Sequence, residues 1–256
     1  MKIGFVGTGA ITEAIVTGVL GSTLPVSEIH LSPRSRDISA SLAEKSAIVH
    51  VADDNQGVVD ASDTVFLAIR PQIAEEVITG LRFRPGQRVI SLVATLDLNT
   101  LKNWIRQDVL LAQAIPLPFV AERQGVTAIF PPDADVASFF AALGTAVEAQ
   151  TKSEYDLLAA ASALMGTYFG ILETSTRWLE SKGLPYEQAK AYVAPLFASL
   201  SERAVKSQSR SFAHLQSEFS TRGGLNEQAS GDFDRHGGSA ALEKALDGLL
   251  KRIEAK

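Results

Sequence analysis

The sequence predicts an α/β domain followed by an all-helical domain. Short apolar runs alternate with helical segments as far as about residue 150, which is typical of βαβ units around a parallel sheet. A glycine cluster follows the first of these runs, and no convincing strand pattern is found from Ser153 onward. We therefore expect a first domain over residues 1–152 and a helical domain over residues 153–256.

Composition limits the classes of function that the chain can have. Its 256 residues are 46% hydrophobic and 21% charged, with a net charge of −5. This balance argues against a nucleic-acid partner, and the lack of cysteine excludes disulfides and thiolate chemistry. Four histidines without a metal-binding spacing argue against a metal site. We find no signal peptide and no apolar run of the ~20 residues that a membrane span needs, so we expect a cytoplasmic enzyme without a membrane partner.

Seven apolar runs have the length and composition of buried strands. They cover residues 2–7, 28–33, 47–52, 64–69, 87–94, 109–116 and 125–132. Helical segments such as ISASLAEK, residues 38–45, separate them. This alternation predicts one mainly parallel sheet whose strands are covered by helices on both faces.

The second domain is predicted to contain only helices. Ser153 and Asp156 have the spacing of a capping box, and apolar residues recur at helical spacing from Leu157 to Leu179. Gly183 suits the position just after this helix. Further helices are expected at about 186–207, with a kink at Pro195, and at 211–219 and 239–255.

Residues 157–172 form an unusual part of the predicted helix, because they are apolar or small nearly all round. A helix of this kind is buried on every side. A helical domain of about a hundred residues has difficulty burying it alone. We therefore predict a homodimer through the helical domain, with burial inside one compact monomer as the alternative.

The glycine cluster has the context of a dinucleotide-binding fingerprint. In KIGFVGTGAITEAIVTG, residues 2–18, Gly7-x-Gly9-x-x-Thr12 follows a strand and opens a helix, as in a Rossmann-type domain. The first glycine permits a tight turn, and the second lets the backbone approach a diphosphate at the helix N-terminus. Thr12 replaces the usual third glycine or alanine and is expected to loosen helix–strand packing slightly. A plain βα turn is the alternative; the residues expected to bind the diphosphate are Gly7, Thr8, Gly9, Ala10 and Ile11.

The end of the second strand indicates which dinucleotide is bound. NAD-binding proteins usually carry an acidic residue there for the ribose 2′-hydroxyl. Here the chain reads LSPRSRD over residues 31–37, which places Ser32, Arg34 and Ser35 at this point. A guanidinium and hydroxyls suit a 2′-phosphate, so NADP is favoured. The alternative is that Arg34 and Arg36 are solvated surface charges.

Several of these segments resemble pyrroline-5-carboxylate reductase, the last enzyme of proline biosynthesis. The resemblance runs in order through IGFVGTGAITEAIVTGVL, LSPRS, VFLAIRPQ (65–72), VISLVAT (89–95) and ESKGLPYEQA. It implies a helical domain that interleaves with that of a second copy, dimers that assemble further, and an active site between the nicotinamide of one chain and helices of its partner. The further residues that it implies for the cofactor side are Asn55, Ala68, Ile69, Arg70, Pro71 and Ala94.

The resemblance is weakest at the family's substrate-binding segments. SALMGTY (162–168) stands where the family has S-G-S-G-P-A-Y, and STRGGLNEQ (220–228) stands where it has SPGGTT. In the family these segments hold the carboxylate of a small cyclic imine. Here Ser162 and Thr167 are candidate donors to a substrate nitrogen, and Asn226 is a candidate replacement for a lost threonine. The alternative is a structural role, such as a bond to the preceding helical turn.

The predicted reaction needs little general acid–base catalysis from the protein. A cyclic imine is readily protonated on nitrogen, and the protein supplies orientation and electrostatics while NADPH supplies the hydride. We therefore expect an NADPH-dependent reductase of a cyclic imine. The alternatives are a related reductase for another imine or a keto acid, motivated by Leu164, Met165 and Leu225, and a non-catalytic NADP-binding dimer.

Overall fold

The computed structural model describes residues 1–255 of the chain. Contacts divide it into two compact units, one of Met1–Ala159 with the chain's end from Arg252, and the other of Ala160–Lys251. The division therefore falls after Ala159, whereas the sequence places the domain boundary between residues 152 and 153.

The first unit is built on a sheet with eight strands among the described residues. The strands are β1 (Lys2–Val6), β2 (Glu28–Leu31), β3 (Val49–Val51), β4 (Thr64–Leu67), β5 (Arg88–Ser91), β6 (Leu110–Pro116), β7 (Gly125–Phe130) and β8 (Gly144–Glu148). Their order is β3-β2-β1-β4-β5-β6-β7-β8, and every neighbouring pair is parallel except β6 with β7. The order reverses between β1 and β4, as in a Rossmann-type domain, which confirms the predicted fold.

Helices cover both faces of this sheet. They are α1 (Ala10–Leu20), α2 (Arg36–Lys45), α3 (Asn55–Ala61), α4 (Pro71–Thr79), α5 (Leu98–Ile105) and α6 (Ala134–Ala141), with a 3₁₀ turn at Pro118–Glu122. In β4, Phe66 packs into one buried cluster, and Val65 and Leu67 pack into another. Successive side chains of a strand point to opposite faces. Accordingly, α1 and α6 contribute to the first cluster and α3, α4 and α5 to the second.

The second unit is entirely helical, as predicted. The second unit contains the end of α7 (Lys152–Ser162) and most of α12 (Gly238–Glu254), whose last residues belong to the first unit. Between them lie α8 (Leu164–Ser181), α9 (Tyr186–Lys206), α10 (Phe212–Phe219) and α11 (Leu225–Arg235). α11 was not expected from the sequence. The predicted long helix is also interrupted, because a turn at Ala163 separates α7 from α8.

The cap of α7 lies two residues earlier than the predicted capping box. The N–H of Glu154 donates to Oγ1 of Thr151 at 3.2 Å, and the Glu154 carboxylate accepts the N–H of Gln150 at 2.7 Å. Thr151 therefore caps the helix in place of Ser153, because the helix begins at Lys152.

Gly183 ends α8 as predicted. Its φ is +100°, a value that glycine adopts without strain. The N–H of Gly183 donates to the carbonyl of Glu180, and that of Leu184 to the carbonyl of Leu179, both within 3.2 Å. These two bonds form a Schellman motif.

The apolar surface of the second unit is largely uncovered in the single chain. Taken together, α7 and α8 span Lys152–Ser181 and contain an 18-residue window of mean hydropathy 1.3, of which 6% is buried, so this stretch is long and apolar enough to cross a membrane by length and composition alone. Phe169 is 58% exposed and Trp178 60%. Burial inside a compact monomer, the alternative for residues 157–172, is therefore not observed.

Candidate functional site

The loop after β1 lies at the centre of the carboxyl edge of the sheet. Val6 of β1 pairs with Leu67 of β4, so these strands end side by side where the strand order reverses. Open α/β sheets bind ligands in the crevice at this point. Gly7 has φ +102° here, and a Cβ on it would lie 2.3 Å from the carbonyl oxygen of Ala68. Only glycine lets the two loops approach so closely.

The backbone at the start of α1 forms an open place for an anion. Gly9 is the N-cap of α1, and a Cβ built on it would meet nothing within 4 Å. The N–H groups of Ala10, Ile11 and Thr12 are the first of the helix and therefore have no intrahelical acceptor. Together with the positive end of the helix dipole, they fit a dinucleotide diphosphate.

Three buried hydroxyls hold this loop in its conformation. Oγ of Ser32 accepts the N–H of Gly7 at 2.9 Å, and Oγ1 of Thr8 donates to the carbonyl of Ser32 at 2.8 Å. Oγ1 of Thr12 donates to the carbonyl of Gly7 at 2.7 Å. The expectation that Thr12 loosens the packing is wrong, because its side chain is fully buried and bonds the turn.

The residues after β2 form a cationic surface without a carboxylate at the strand end. Arg34 and Arg36 are exposed, and neither has an ion-pair partner within residues 1–255. Ser35 is the N-cap of α2, yet its hydroxyl accepts no helix N–H. Asp37 lies inside the first turn of α2. The guanidinium of Arg34, the hydroxyl of Ser35 and the helix N-terminus fit a phosphate group.

The other predicted cofactor residues follow β3, β4 and β5 at the same edge; they are Asn55, Ala68, Ile69, Arg70, Pro71 and Ala94. Asn55 begins α3, and Pro71 begins α4. The N–H of Ala68 donates to the carbonyl of Val6 at 2.8 Å, which joins the β4 loop to the end of β1. One sheet edge thus carries all of the predicted cofactor residues, and their chemistry fits NADP.

The loop that carries Ala94 ends at a well-formed helix cap. Oδ2 of Asp97 accepts the Thr100 hydroxyl at 2.7 Å, and Oδ1 accepts the N–H groups of Asn99 and Thr100 at 2.8 and 2.9 Å. These bonds, first among them the one from the Thr100 hydroxyl, lower the pKa of Asp97 below its ordinary value. The carboxylate therefore stays ionised and fixes the start of α5.

The three predicted substrate-side residues lie on three different helices of the second unit. Ser162 is the last residue of α7, and Thr167 is exposed near the start of α8. Asn226 lies in the first turn of α11, where its Nδ2 donates to the carbonyl of Phe219 at 2.8 Å. The side-chain amide of Asn226 is therefore engaged with the last residue of α10.

Two polar side chains were missed by sequence reasoning. Oε2 of Glu227 accepts the N–H of Gly223 at 2.6 Å, and Glu227 lines two cavities of about 350 and 360 Å³. Gln113 of β6 is fully buried; its Nε2 donates to the carbonyl of Leu96, and its Oε1 has no hydrogen-bond partner among the described residues. A single glutamine in the apolar run LLAQAIP could have indicated this buried polar side chain from the sequence. The hydrogen bond between Glu227 and the Gly223 N–H depends on the turn before α11, so no sequence pattern indicates it.

Both halves of the chain match known families. Residues 2–95 match the family described as NADP oxidoreductase coenzyme F420-dependent, and residues 152–256 match pyrroline-5-carboxylate reductase dimerisation. Pyrroline-5-carboxylate reductase of Pseudomonas aeruginosa is 25% identical over 98% of this chain and 95% of the relative. Pyrroline-5-carboxylate reductase 2 of Bacillus subtilis is 27% identical over 88% of this chain and 84% of the relative.

Solved structures share the whole fold. The pyrroline-5-carboxylate reductase of Coxiella burnetii has a TM-score of 0.86 and 23% identity, covering 99% of this chain and 97% of that one. The Plasmodium falciparum pyrroline carboxylate reductase with NADP bound has a TM-score of 0.81 and 16% identity, covering 100% and 97%. The match of both halves in sequence, together with the Rossmann-type sheet and the loops fitted to NADP, shows that the chain belongs to the pyrroline-5-carboxylate reductase family of NADP-dependent oxidoreductases.

Proposed function

We propose that the protein reduces the C=N bond of a cyclic imine of the pyrroline-5-carboxylate type with NADPH. The observation that carries the proposal is the pairing of two anion sites at one sheet edge. An open helix N-terminus lies at Gly9, and a cationic strand end without a carboxylate lies at Arg34. Membership of the family supplies the reaction class.

The residues at this edge have distinct proposed roles. The amides at the start of α1 bind the diphosphate, Arg34 and Ser35 bind the 2′-phosphate, and the loops after β3, β4 and β5 surround the rest of the dinucleotide. Bound NADPH would supply a hydride to the imine carbon. Ser162, Thr167 and Asn226 are the proposed hydrogen-bond donors to the substrate, and Asn226 must release the Phe219 carbonyl to act in this way.

The cofactor assignment is tested by reversing one charge. Arg34→Glu should weaken NADPH binding by a hundredfold or more, because a carboxylate replaces a charge-assisted bond to phosphate, while NADH binding changes little. Lys45→Glu makes the same charge change at the other end of α2 and is the control. Both affinities are measured by fluorescence titration. Equal losses for NADPH and NADH in Arg34→Glu would refute the phosphate site.

The reaction is tested by following NADPH absorbance with pyrroline-5-carboxylate. Saturable oxidation that is faster with NADPH than with NADH is the expected result. Binding of NADPH without turnover of pyrroline-5-carboxylate, other cyclic imines or keto acids would contradict the reductase proposal and support a non-catalytic NADP-binding dimer.

A second candidate is a related reductase whose substrate lacks a carboxylate, and Glu227 is the observation that favours it. Its carboxylate already takes the N–H of Gly223 in the segment that resembles the family's substrate loop. A substrate carboxylate there would meet a like charge. This candidate predicts that the unaltered protein has a higher kcat/KM for 1-pyrroline than for pyrroline-5-carboxylate, and that Glu227→Gln reverses this order. A higher kcat/KM for pyrroline-5-carboxylate in the unaltered protein would exclude the candidate.

The proposal includes a cytoplasmic homodimer formed by the second unit. Support comes from the matched dimerisation family and from an apolar groove of about 420 Å³ between α8 and α9, lined by Trp178, Leu179, Tyr192, Val193, Leu196 and Phe197 among others. Light scattering after gel filtration should give at least a dimer mass. Trp178→Glu should lower that mass, and Gln188→Glu, which lies outside the groove on α9, should not.

A further inference from the structure

The end of β2 is connected to the diphosphate loop by a closed set of hydrogen bonds. Ser32 and Thr8 are 0% and 2% exposed. The Gly7 N–H donates to Oγ of Ser32 at 2.9 Å, Oγ1 of Thr8 donates to the Ser32 carbonyl at 2.8 Å, and the two hydroxyl oxygens are 3.1 Å apart. These residues lie 24 or 25 positions apart in the sequence, so the bonds join two separate loops.

The number of protons in this set fixes the direction of each bond. A hydroxyl has one proton to donate. The Thr8 hydroxyl donates its proton to the Ser32 carbonyl. In the hydrogen bond between the two hydroxyls, Ser32 must therefore be the donor and Thr8 the acceptor. Ser32 therefore has no remaining proton for a phosphate oxygen, and its burial separates it from any ligand.

We propose that Ser32 is a positioning residue for the diphosphate loop and takes no part in recognising the 2′-phosphate. It holds the Gly7 N–H, and thereby the turn that sets the direction of the amides at the start of α1. Discrimination between NADPH and NADH then belongs to Arg34 and Ser35, which lie further along the same segment. This inference rests on the proposed cofactor site and reassigns one residue in it.

The expected consequence is a loss of affinity that is the same for both dinucleotides. Ser32→Ala leaves the Gly7 N–H without its side-chain acceptor, whereas the Thr8 hydroxyl keeps its bond to the backbone carbonyl of residue 32. A lost hydrogen bond of this kind corresponds to a loss of roughly tenfold in binding when the loop loses its bound conformation. Because NADPH and NADH share the diphosphate, the ratio of their dissociation constants should stay as in the unaltered protein.

The experiment compares Ser32→Ala with Ser35→Ala by fluorescence titration with NADPH and with NADH. Ser32→Ala should weaken both by a similar factor of about ten, and Ser35→Ala should weaken NADPH alone. With saturating imine, Ser32→Ala should raise the KM for NADPH and leave kcat unchanged, a split that general destabilisation would not produce. A loss confined to NADPH in Ser32→Ala, or no loss at all, would overturn the inference.

A second variant covers the case in which Ser32→Ala does not fold. Thr8→Val keeps the size of the side chain and removes the donor to the Ser32 carbonyl, so it should also weaken NADPH and NADH together. Thermal unfolding checks that each titrated variant is folded. Failure of the unaltered protein to bind either dinucleotide would refute the proposed function, whereas an NADPH-specific loss in Thr8→Val would refute only this inference.

Discussion

Alanine at Gly7 should lower the stability of the fold, whereas alanine at Gly9 should lower NADPH affinity, although the two glycines belong to the same loop. At Gly7 the φ of +102° costs a residue with a side chain about 1–3 kcal/mol. The new Cβ would also lie 2.3 Å from the carbonyl oxygen of Ala68 and 3.1 Å from Cγ2 of Ile69. The β4 loop must move to accept it, so we expect Gly7→Ala to lower the free energy of unfolding by at least about 2 kcal/mol.

At Gly9 the same substitution meets no neighbour. The φ is −110°, and a Cβ finds nothing within 4 Å. Alanine is a poorer N-cap than glycine by about 0.5–1 kcal/mol, but it gains about 0.4–1 kcal/mol by restricting the unfolded chain. Stability should therefore change by less than about 1 kcal/mol. The methyl group would occupy the space proposed for the diphosphate, and we expect NADPH affinity to fall about tenfold or more.

The two effects are separated by measuring unfolding without cofactor and binding with it. A chain of this size loses about 2–4 °C in Tm per kcal/mol, so Gly7→Ala should melt about 4–8 °C lower and Gly9→Ala within about 4 °C of the unaltered protein. Fluorescence titration with NADPH gives the affinities. Equal melting temperatures for the two variants, or unchanged NADPH affinity in Gly9→Ala, would refute the assignment of Gly7 to packing and Gly9 to ligand approach.

Three further predictions concern stability. Asp97→Ala should lower the free energy of unfolding by about 0.5–2 kcal/mol at pH 7, because the helix cap is lost. Since the folded-state pKa of Asp97 is lowered, this contribution is present above the unfolded pKa of about 3.9 and should fade at lower pH in urea titrations. Asp97→Asn keeps the cap and should keep most of the stability. Asp133→Ala should cost about 1–3 kcal/mol in urea unfolding, because Asp133 both caps α6 and pairs with Arg88; Asp133→Asn, which keeps the cap, should cost less. Gly183→Ala should cost about 1 kcal/mol from φ strain alone, since a Cβ there meets nothing within 4 Å; a loss above about 3 kcal/mol would contradict that cause.

The sequence predicted the central strands because they are buried on both faces and therefore read as continuous apolar runs. β4, for example, is buried at all four residues. β8 was missed because it lies at the edge of the sheet, where GTAVE is only partly buried. α11 was missed because none of its residues is buried in the chain, so its sequence LNEQASGDFDR carries no apolar period.

The candidate site also has parts that could be predicted from the sequence and parts that could not. The loops at Gly7, Arg34 and Ala68 could be placed together from sequence, because the carboxyl ends of parallel strands meet at one edge whatever the side chains do. The bond between Ser32 and Gly7 could not be placed, since it depends on how the ends of β1 and β2 approach each other. The bond from Asn226 to Phe219 depends in the same way on a turn that has no periodic pattern.

The charges around residues 157–172 help to decide what covers this apolar stretch. By length and composition alone the stretch Lys152–Ser181 could cross a membrane, but the turn at Ala163 interrupts its apolar part. Glu173 and Glu180 pair with Arg177 at 2.8 and 2.9 Å on the same helix, just beyond the end of residues 157–172. A protein surface can bury the apolar residues and leave these ion pairs in water at its rim. An apolar groove also lies beside these charges on α8 and α9, so a second copy of the chain suits this face better than lipid does.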